Sequence, residues 1–493
     1  MKFLRNSFYN TISWVINIVL GIITVPLFLD KLGNELYGVY ILIIGLVGYY
    51  SLVDMGLGQA IIKYVAEYNA KDEIESIFYS IASSFIFNII TGAFSSIIIF
   101  ILSEHIVNLL NISLIYRTES LLSIKIISIG FLFSLLSSNF ASIFQGLQNY
   151  KITSMVNTLI NILIYIIAIL GLYSGKGLLF VITIYTALNI VSFFIYFTIF
   201  TYYYPKWLIN FKIKWKYIKN LFSFSVYFFL SKILNIVNGY VIQFIISTLL
   251  SPVAVTYYAV PRKFTNSASA FLGNLVSALV PKVSELNSKK DIVNLIDKYW
   301  ITNKTISLIS FPIFFALIVF SKDILKLWVG EELANKTYII LIVLSLQTYI
   351  GVLTIVPNNY LLGLGRTKVQ SIFSIITLLF TLSIVPLFTI WKGVIGTVFG
   401  LLVCTFPGII LVFYFNKKIL NINNKKYLVE IFKGNYVGIA LIFFIYFIKK
   451  YSFNKDEEIL IIKIIISTIF LISFYLLNRK DINFIQKYIL NFK

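Results

Sequence analysis

Fourteen apolar runs of about 20 residues, joined by short polar connections, account for most of this chain: 8–29, 37–58, 78–102, 121–146, 153–173, 178–203, 220–249, 255–280, 301–321, 337–362, 369–390, 393–415, 430–448 and 459–477. A helix of about 20 residues crosses a hydrocarbon core of roughly 30 Å. Backbone groups inside that core must be satisfied within their own segment, so each run predicts a helix. Composition agrees. Of 493 residues, 59% are hydrophobic and only 12% charged, and the mean hydropathy is +0.90. Soluble domains carry roughly 25% charged residues, so a soluble protein and a disordered chain are both excluded. The expectation is an all-α polytopic membrane protein with about fourteen transmembrane helices. Two connecting segments, Asn69–Ile77 and Lys282–Tyr299, mix charged and apolar residues at helical spacing. They are expected to lie along the cytoplasmic face.

Lysine and arginine total 41 against 20 acids, a net charge of +21. In a polytopic chain such an excess holds loops on the cytoplasmic side, and nucleic-acid binding is not expected. With the N-terminus inside, cytoplasmic segments hold 24 of the basic residues and outer loops ten. Both termini are therefore placed in the cytoplasm, as in a multi-pass membrane protein. The strongest contribution is Tyr204–Asn220, with five lysines and no acid. The first run is too long for a signal peptide and lacks an A-x-A-like cleavage site, so it reads as a retained helix.

The basic linker also separates two similar halves. An offset of 218 brings Ser7, Tyr9, Asn17, Gly21, Tyr40, Glu67 and Asn69 onto Ser225, Tyr227, Asn235, Gly239, Tyr258, Glu285 and Asn287. An offset of 217 brings Gly146, Leu147, Lys151 and Ser154 onto Gly363, Leu364, Lys368 and Ser371. Six helices separate equivalent points, so the repeat is parallel. The chain divides into a six-helix bundle at 1–203, a linker at 204–219, a second bundle at 220–415, and two further helices with a basic tail at 416–493.

Several short motifs resemble a known family. They are Asn6-Ser7, Pro26-Leu27-Phe28, Leu32-Gly33, Tyr37-Gly38-Val39-Tyr40 and Asp54-Met55-Gly56-Leu57-Gly58, then Ile324–Gly330 and Leu362–Lys368. Their order and spacing are similar to bacterial O-antigen and polysaccharide repeat-unit flippases of the multidrug/oligosaccharidyl-lipid/polysaccharide exporter superfamily. The resemblance spans most of residues 1–415. It implies a MATE-like fold and export of undecaprenyl-diphosphate-linked oligosaccharide from the inner to the outer leaflet. Membrane lipids, a polysaccharide polymerase and assembly proteins are the partners it implies.

No cofactor is expected. No G-x-x-x-x-G-K-[S/T] occurs, so there is no phosphate-cradling loop. His105 is the only histidine and Cys404 the only cysteine, which excludes a disulfide framework and leaves both as packing or interfacial residues. Ionisable and amide groups within the apolar runs are more informative, because a charge at mid-membrane costs about 2.5–3.5 kcal/mol. Lys232 lies roughly 16 Å into its helix. Ser225, Lys232, Asn235, Gly239 and Gln243 fall on one stripe of that helix. The equivalent stripe of the first helix holds Asn10, Ser13, Asn17, Gly21 and Thr24, and Arg262, Asn266, Ser269 and Gly273 share a face of the eighth. Two readings fit such stripes: a polar cavity between the halves that meets substrate, and snorkelling or glue between helices. Two likewise fit Asp54: a local cap or ion pair, and ion coupling. A cation-coupled drug exporter of the same fold would favour acids in the cavity, whereas the deep charges here are basic. A polysaccharide polymerase would be expected to carry a substantial catalytic outer loop, and none occurs, so the chain reads as a transporter rather than an enzyme.

Overall fold

The computed structural model describes residues 2–48, 53–54, 56–209, 212, 214–223, 225, 240–277, 279–432, 463–468, 470–471, 473–475 and 478. No strand occurs among them. Eight helical stretches among the described residues are long and apolar enough to cross a membrane; Thr367–Ile419 contains two of the expected crossings, and Thr11–Gly48 covers most of one and part of a second. The chain is an integral, multi-pass, all-α membrane protein. It divides into two compact units, Met1–Thr256 and Tyr257–Lys493, each described below by itself.

In the first unit, α1 (Lys2–Gly48) breaks at Gly33, whose φ of 72° and ψ of 175° leave the helical region, and then resumes. Next come α2 (Leu57–Ala70), α3 (Ile74–Ile101), α4 (Arg117–Gly146), α5 (Tyr150–Tyr173) and α6 (Leu178–Tyr203). A helix at 215–223 follows, then α7 (Ile242–Leu249) and the start of α8 (Pro252–Ser277), whose residues from Tyr257 onward belong to the second unit. Ile61 and Val65 of α2 pack with Phe140 and Phe144 of α4, Tyr196 and Phe200 of α6, and Trp207. On α3, Ile90, Phe94, Ile97 and Ile101 are between 57% and 69% exposed. Recurring at helical spacing, they form the lipid-facing stripe that a bilayer requires and water would penalise.

The second unit contains α9 (Leu279–Ser288), α10 (Ile292–Val319), α11 (Ser321–Val329), α12 (Glu331–Val352) and α13 (Ile355–Gly363). It continues with α14 (Thr367–Val403), α15 (Phe406–Tyr414) and α16 (Asn424–Phe432). α14 is kinked at Lys392–Gly393, where the apolar pattern separates 369–390 from 393–415. Tyr299 of α10 centres the core. Its hydroxyl donates to Asn416 Oδ1 at 2.6 Å, and Tyr427 of α16 donates to Asn303 Oδ1 at 2.8 Å. The final described helical residues pack Phe470 and Phe474 against Phe311 and Phe315 of α10. There Lys463 is buried and ion-paired with Asp323 of α11, a partner its place in an apolar run does not disclose.

The sequence repeat recurs in geometry. Glu73 N–H donates to Tyr68 O at 2.9 Å around Asp72 (φ 57°), and Asp291 N–H donates to Leu286 O at 3.0 Å around Lys290 (φ 54°). The ion pair Lys71–Glu67 precedes the first turn and Lys289–Glu285 the second. Neither segment 69–77 nor segment 282–299 is one continuous helix. Each is the end of one helix, a tight left-handed turn, and the first residues of the next, so α3 and α10 begin at Ile74 and Ile292. Close approach repeats as well. A Cβ on Gly146 would stand 2.9 Å from Val65 Cβ, and one on Gly363 would stand 2.8 Å from Val283 Cβ. Lipid tails are as apolar as the helices, so such close packing does much of the work of association.

Candidate functional site

The polar stripe of α1 is half-buried and bonded to α5. Ser13 Oγ lies 2.6 Å from Thr158 Oγ1, and one turn on Asn161 Nδ2 donates to Asn17 Oδ1 at 2.8 Å. Asn17 Nδ2 in turn donates to the Ser13 carbonyl at 2.8 Å. Between these two helices the stripe is a seam. Thr158 and Asn161 complete it and were not singled out from sequence, although they stand one turn apart in an apolar run. That spacing was the available signal.

Gln243 is half-buried on α7. Its Oε1 is buried without a hydrogen-bond donor and faces Gly45 of α1, 3.7 Å from where a Cβ on that glycine would stand. A buried acceptor left without a partner costs about 1–3 kcal/mol. A donor brought by a ligand would recover that cost.

Arg262 follows Pro261 on α8. The proline has no N–H to give the carbonyl one turn back, which loosens the helix at this point. The guanidinium carbon of Arg262 lies 5.0 Å from the centre of the Tyr258 ring, and that ring is fully buried. A cation over an aromatic face is attracted by the ring quadrupole and held in orientation. One turn further, Asn266 is exposed, and Gly273 has open space where a side chain would project. Arg262, Asn266 and the space beside Gly273 therefore offer a cation, an amide and room along one helix. An anion accepting from the first two would satisfy the chemistry of both.

Asp54 caps α2. Its Oδ2 accepts from Gly58 N–H at 3.1 Å, and its carbonyl accepts from Leu57 N–H at 2.8 Å. A carboxylate there also complements the positive end of the helix dipole. Lys232 and Asn235 lie outside the described residues. Asn17, Gln243 and Asp54 belong to the first unit, and Arg262 and Asn266 to the second. Cys404 is buried and His105 exposed. Among the described residues, no three His, Cys, Asp or Glu side chains converge.

A family model described as polysaccharide biosynthesis protein matches residues 3–287, more than half of the chain, and a MatE model matches 227–387. A "Putative O-antigen transporter" of Shigella flexneri is 24% identical over 384 residues, covering 76% of this chain and 87% of that protein. Among solved structures, the lipid II flippase MurJ in an inward closed conformation aligns with a TM-score of 0.71 at 18% identity, over 97% of this chain and 100% of that one. An inward-facing multidrug resistance MATE family transporter of the MOP superfamily aligns with a TM-score of 0.67 at 13% identity, over 82% of this chain and 93% of that one. The chain has the MATE fold.

Proposed function

The chain belongs to the polysaccharide biosynthesis protein family, and from that premise we propose that it is a flippase for a lipid-linked oligosaccharide. It carries undecaprenyl-diphosphate-linked repeat units from the inner to the outer leaflet of the cytoplasmic membrane by alternating access, for cell-surface polysaccharide. Both termini are cytoplasmic in this reading, and a polymerase consumes the product outside. The observation that carries it is the family match across residues 3–287; the likeness to a transporter of 24% identity supports it.

Arg262 and Lys232 supply positive charge for the diphosphate, and Asn235, Gln243 and Asn266 supply amides for the sugars. Asn17 joins them as one half of its pair with Asn161. Point charges hold phosphate strongly where bulk water is excluded. The competing cation-coupled drug exporter needs an acid to hold its ion. Asp54, the acid considered for that role, gives one oxygen to the start of α2.

In cells whose surface polysaccharide depends on this chain, Arg262→Ala or Lys232→Ala is expected to abolish polymer while the protein remains in the membrane at its usual level. Normal polymer in both single variants and in the double variant refutes the cationic path.

A further inference from the structure

The helix at 215–223 rests on α3 within the first unit and leaves a groove beside it. At its lower end Tyr217 Oη is 2.9 Å from Ser76 Oγ, and its ring meets Tyr79 at 5.4 Å. The Lys214 ammonium stands 3.9 Å from the centre of the Tyr79 ring. Further along, Phe222 meets Phe87 edge-on at 4.7 Å. The two helices therefore run in the same direction. Between these contacts opens a groove of about 680 Å³, lined chiefly by Ile86, Phe87, Ile90, Trp215, Ile218 and Phe222, with Lys219 also on its wall.

Two features limit what fits there. The wall is apolar and open to the side: Trp215 is 76% and Ile90 62% exposed. Ser83 to Ile90 covers roughly 10 Å of helix at 1.5 Å per residue, about two-thirds of the hydrocarbon depth of one leaflet. Charge is the second feature. Segment 204–220 has five lysines and no acid; Lys212, Lys216 and Lys219 are exposed. Of the acids beside it, Glu67 pairs with Lys71 at 2.8 Å and Glu75 accepts from the Tyr79 hydroxyl at 3.3 Å. An apolar slot about two-thirds of a leaflet deep, with exposed lysines on its helix, matches an amphiphile with an acyl chain and an anionic head.

We propose that this groove is a binding site for an anionic phospholipid of the inner leaflet. One acyl chain lies along Ile86, Ile90 and Phe222, and the phosphate meets Lys219 and Lys216. The bound lipid fastens the start of the helix that follows the basic linker to α3. This site is separate from the residues assigned above to the oligosaccharide and does not depend on that assignment.

Trp215 provides the test. The full chain is reconstituted in phosphatidylcholine vesicles doped with brominated phosphatidylglycerol or, at the same mole fraction, brominated phosphatidylcholine. Bromine quenches indole fluorescence on contact, and subtracting the signal of Trp215→Phe isolates the reporter. Brominated phosphatidylglycerol is expected to quench Trp215 at a clearly lower mole fraction than brominated phosphatidylcholine. Lys219→Gln should raise the half-quenching fraction about fivefold, and the double variant with Lys216→Gln should erase the headgroup preference. High salt should weaken it too. Both lysines are exposed, and an unchanged circular dichroism spectrum establishes that the variants fold. Equal quenching by the two lipids, or none, overturns the proposal. So does displacement of brominated phosphatidylglycerol by a short polyprenyl diphosphate at lower mole fraction than by unlabelled phosphatidylglycerol, because the groove then belongs to an isoprenoid chain.

Discussion

A Cβ placed on Gly38 would lie 2.0 Å from the carbonyl oxygen of Pro252, and that obstacle is backbone. Gly38 stands in the motif Tyr37-Gly38-Val39-Tyr40, and one turn earlier the Asn34 carbonyl accepts from Thr256 Oγ1 at 2.6 Å. Gly38→Ala must therefore push two helix ends apart. A loss of about 1–3 kcal/mol is expected, as for other overpacked sites, and is read as a lower Tm of the detergent-extracted protein. Gly273→Ala, mid-helix with open space around it, should hold or slightly raise Tm; equal Tm values for both variants would contradict the assigned contact. A second residue-scale expectation concerns pH. Hydrogen bonds from Lys282 and Lys289 push the Glu285 carboxyl down to about 2. A depressed carboxylate adds stability above its ordinary value near 4.5 and loses it as pH falls toward 2. The Tm difference between wild type and Glu285→Gln should be flat from about pH 5.5 to 7.5 and shrink below about pH 4.5. A difference that changes instead between pH 6 and 7 would point to another group.

At the scale of elements, burial of Lys463 against Asp323 joins the last described helical segment to α11, beside the stacked rings of Phe315 and Phe470 at 4.1 Å. Removing one member of a buried pair leaves the other charge uncompensated, at about 3–5 kcal/mol when burial is complete. The Asp323 side chain is 27% exposed, so Lys463→Met is expected at the lower end of that range. Lys463→Met with Asp323→Asn should recover part of the loss. A double-mutant cycle in detergent that finds no coupling would show the pair to be incidental. Element boundaries were legible where chemistry marks them: Gly33 and Gly393 break helices where the apolar pattern does. The turns at Asp72 and Lys290 were not legible, because non-glycine residues adopt the left-handed conformation there. Helix-periodic charge on both sides of each turn read as one interfacial segment.

For the molecule as a whole, the proposed cargo sets the energetics. A diphosphate diester carries about two negative charges, and an inside-negative potential draws anions outward. Full transfer of both is favoured by roughly 4–5 kcal/mol at about 100 mV. Flipping in sealed vesicles should accelerate when the accepting compartment is made positive at fixed pH and sodium. If Arg262 and Lys232 cross the field with the substrate, the gain moves to the return of the empty carrier, and acceleration is still expected. A rate indifferent to potential but abolished by collapse of one ion gradient, with coupling lost in Asp54→Asn, would replace this mechanism with ion antiport.

Sequence alone determined that the chain is helical and membrane-embedded, because hydrocarbon admits only self-satisfied backbone and the apolar runs have the length of a bilayer. It also determined the repeat, because an offset of 217–218 residues survives in residue identities and is mirrored in turns and glycine contacts. Tertiary structure decided which partners two of the polar groups meet. Asn17 bonds to Asn161, 144 residues away, and Lys463 to Asp323, 140 residues away. Helical periodicity reports which side chains share a face. It carries no information about which distant helix that face meets, so a seam, a buried ion pair and a substrate contact have the same appearance in sequence.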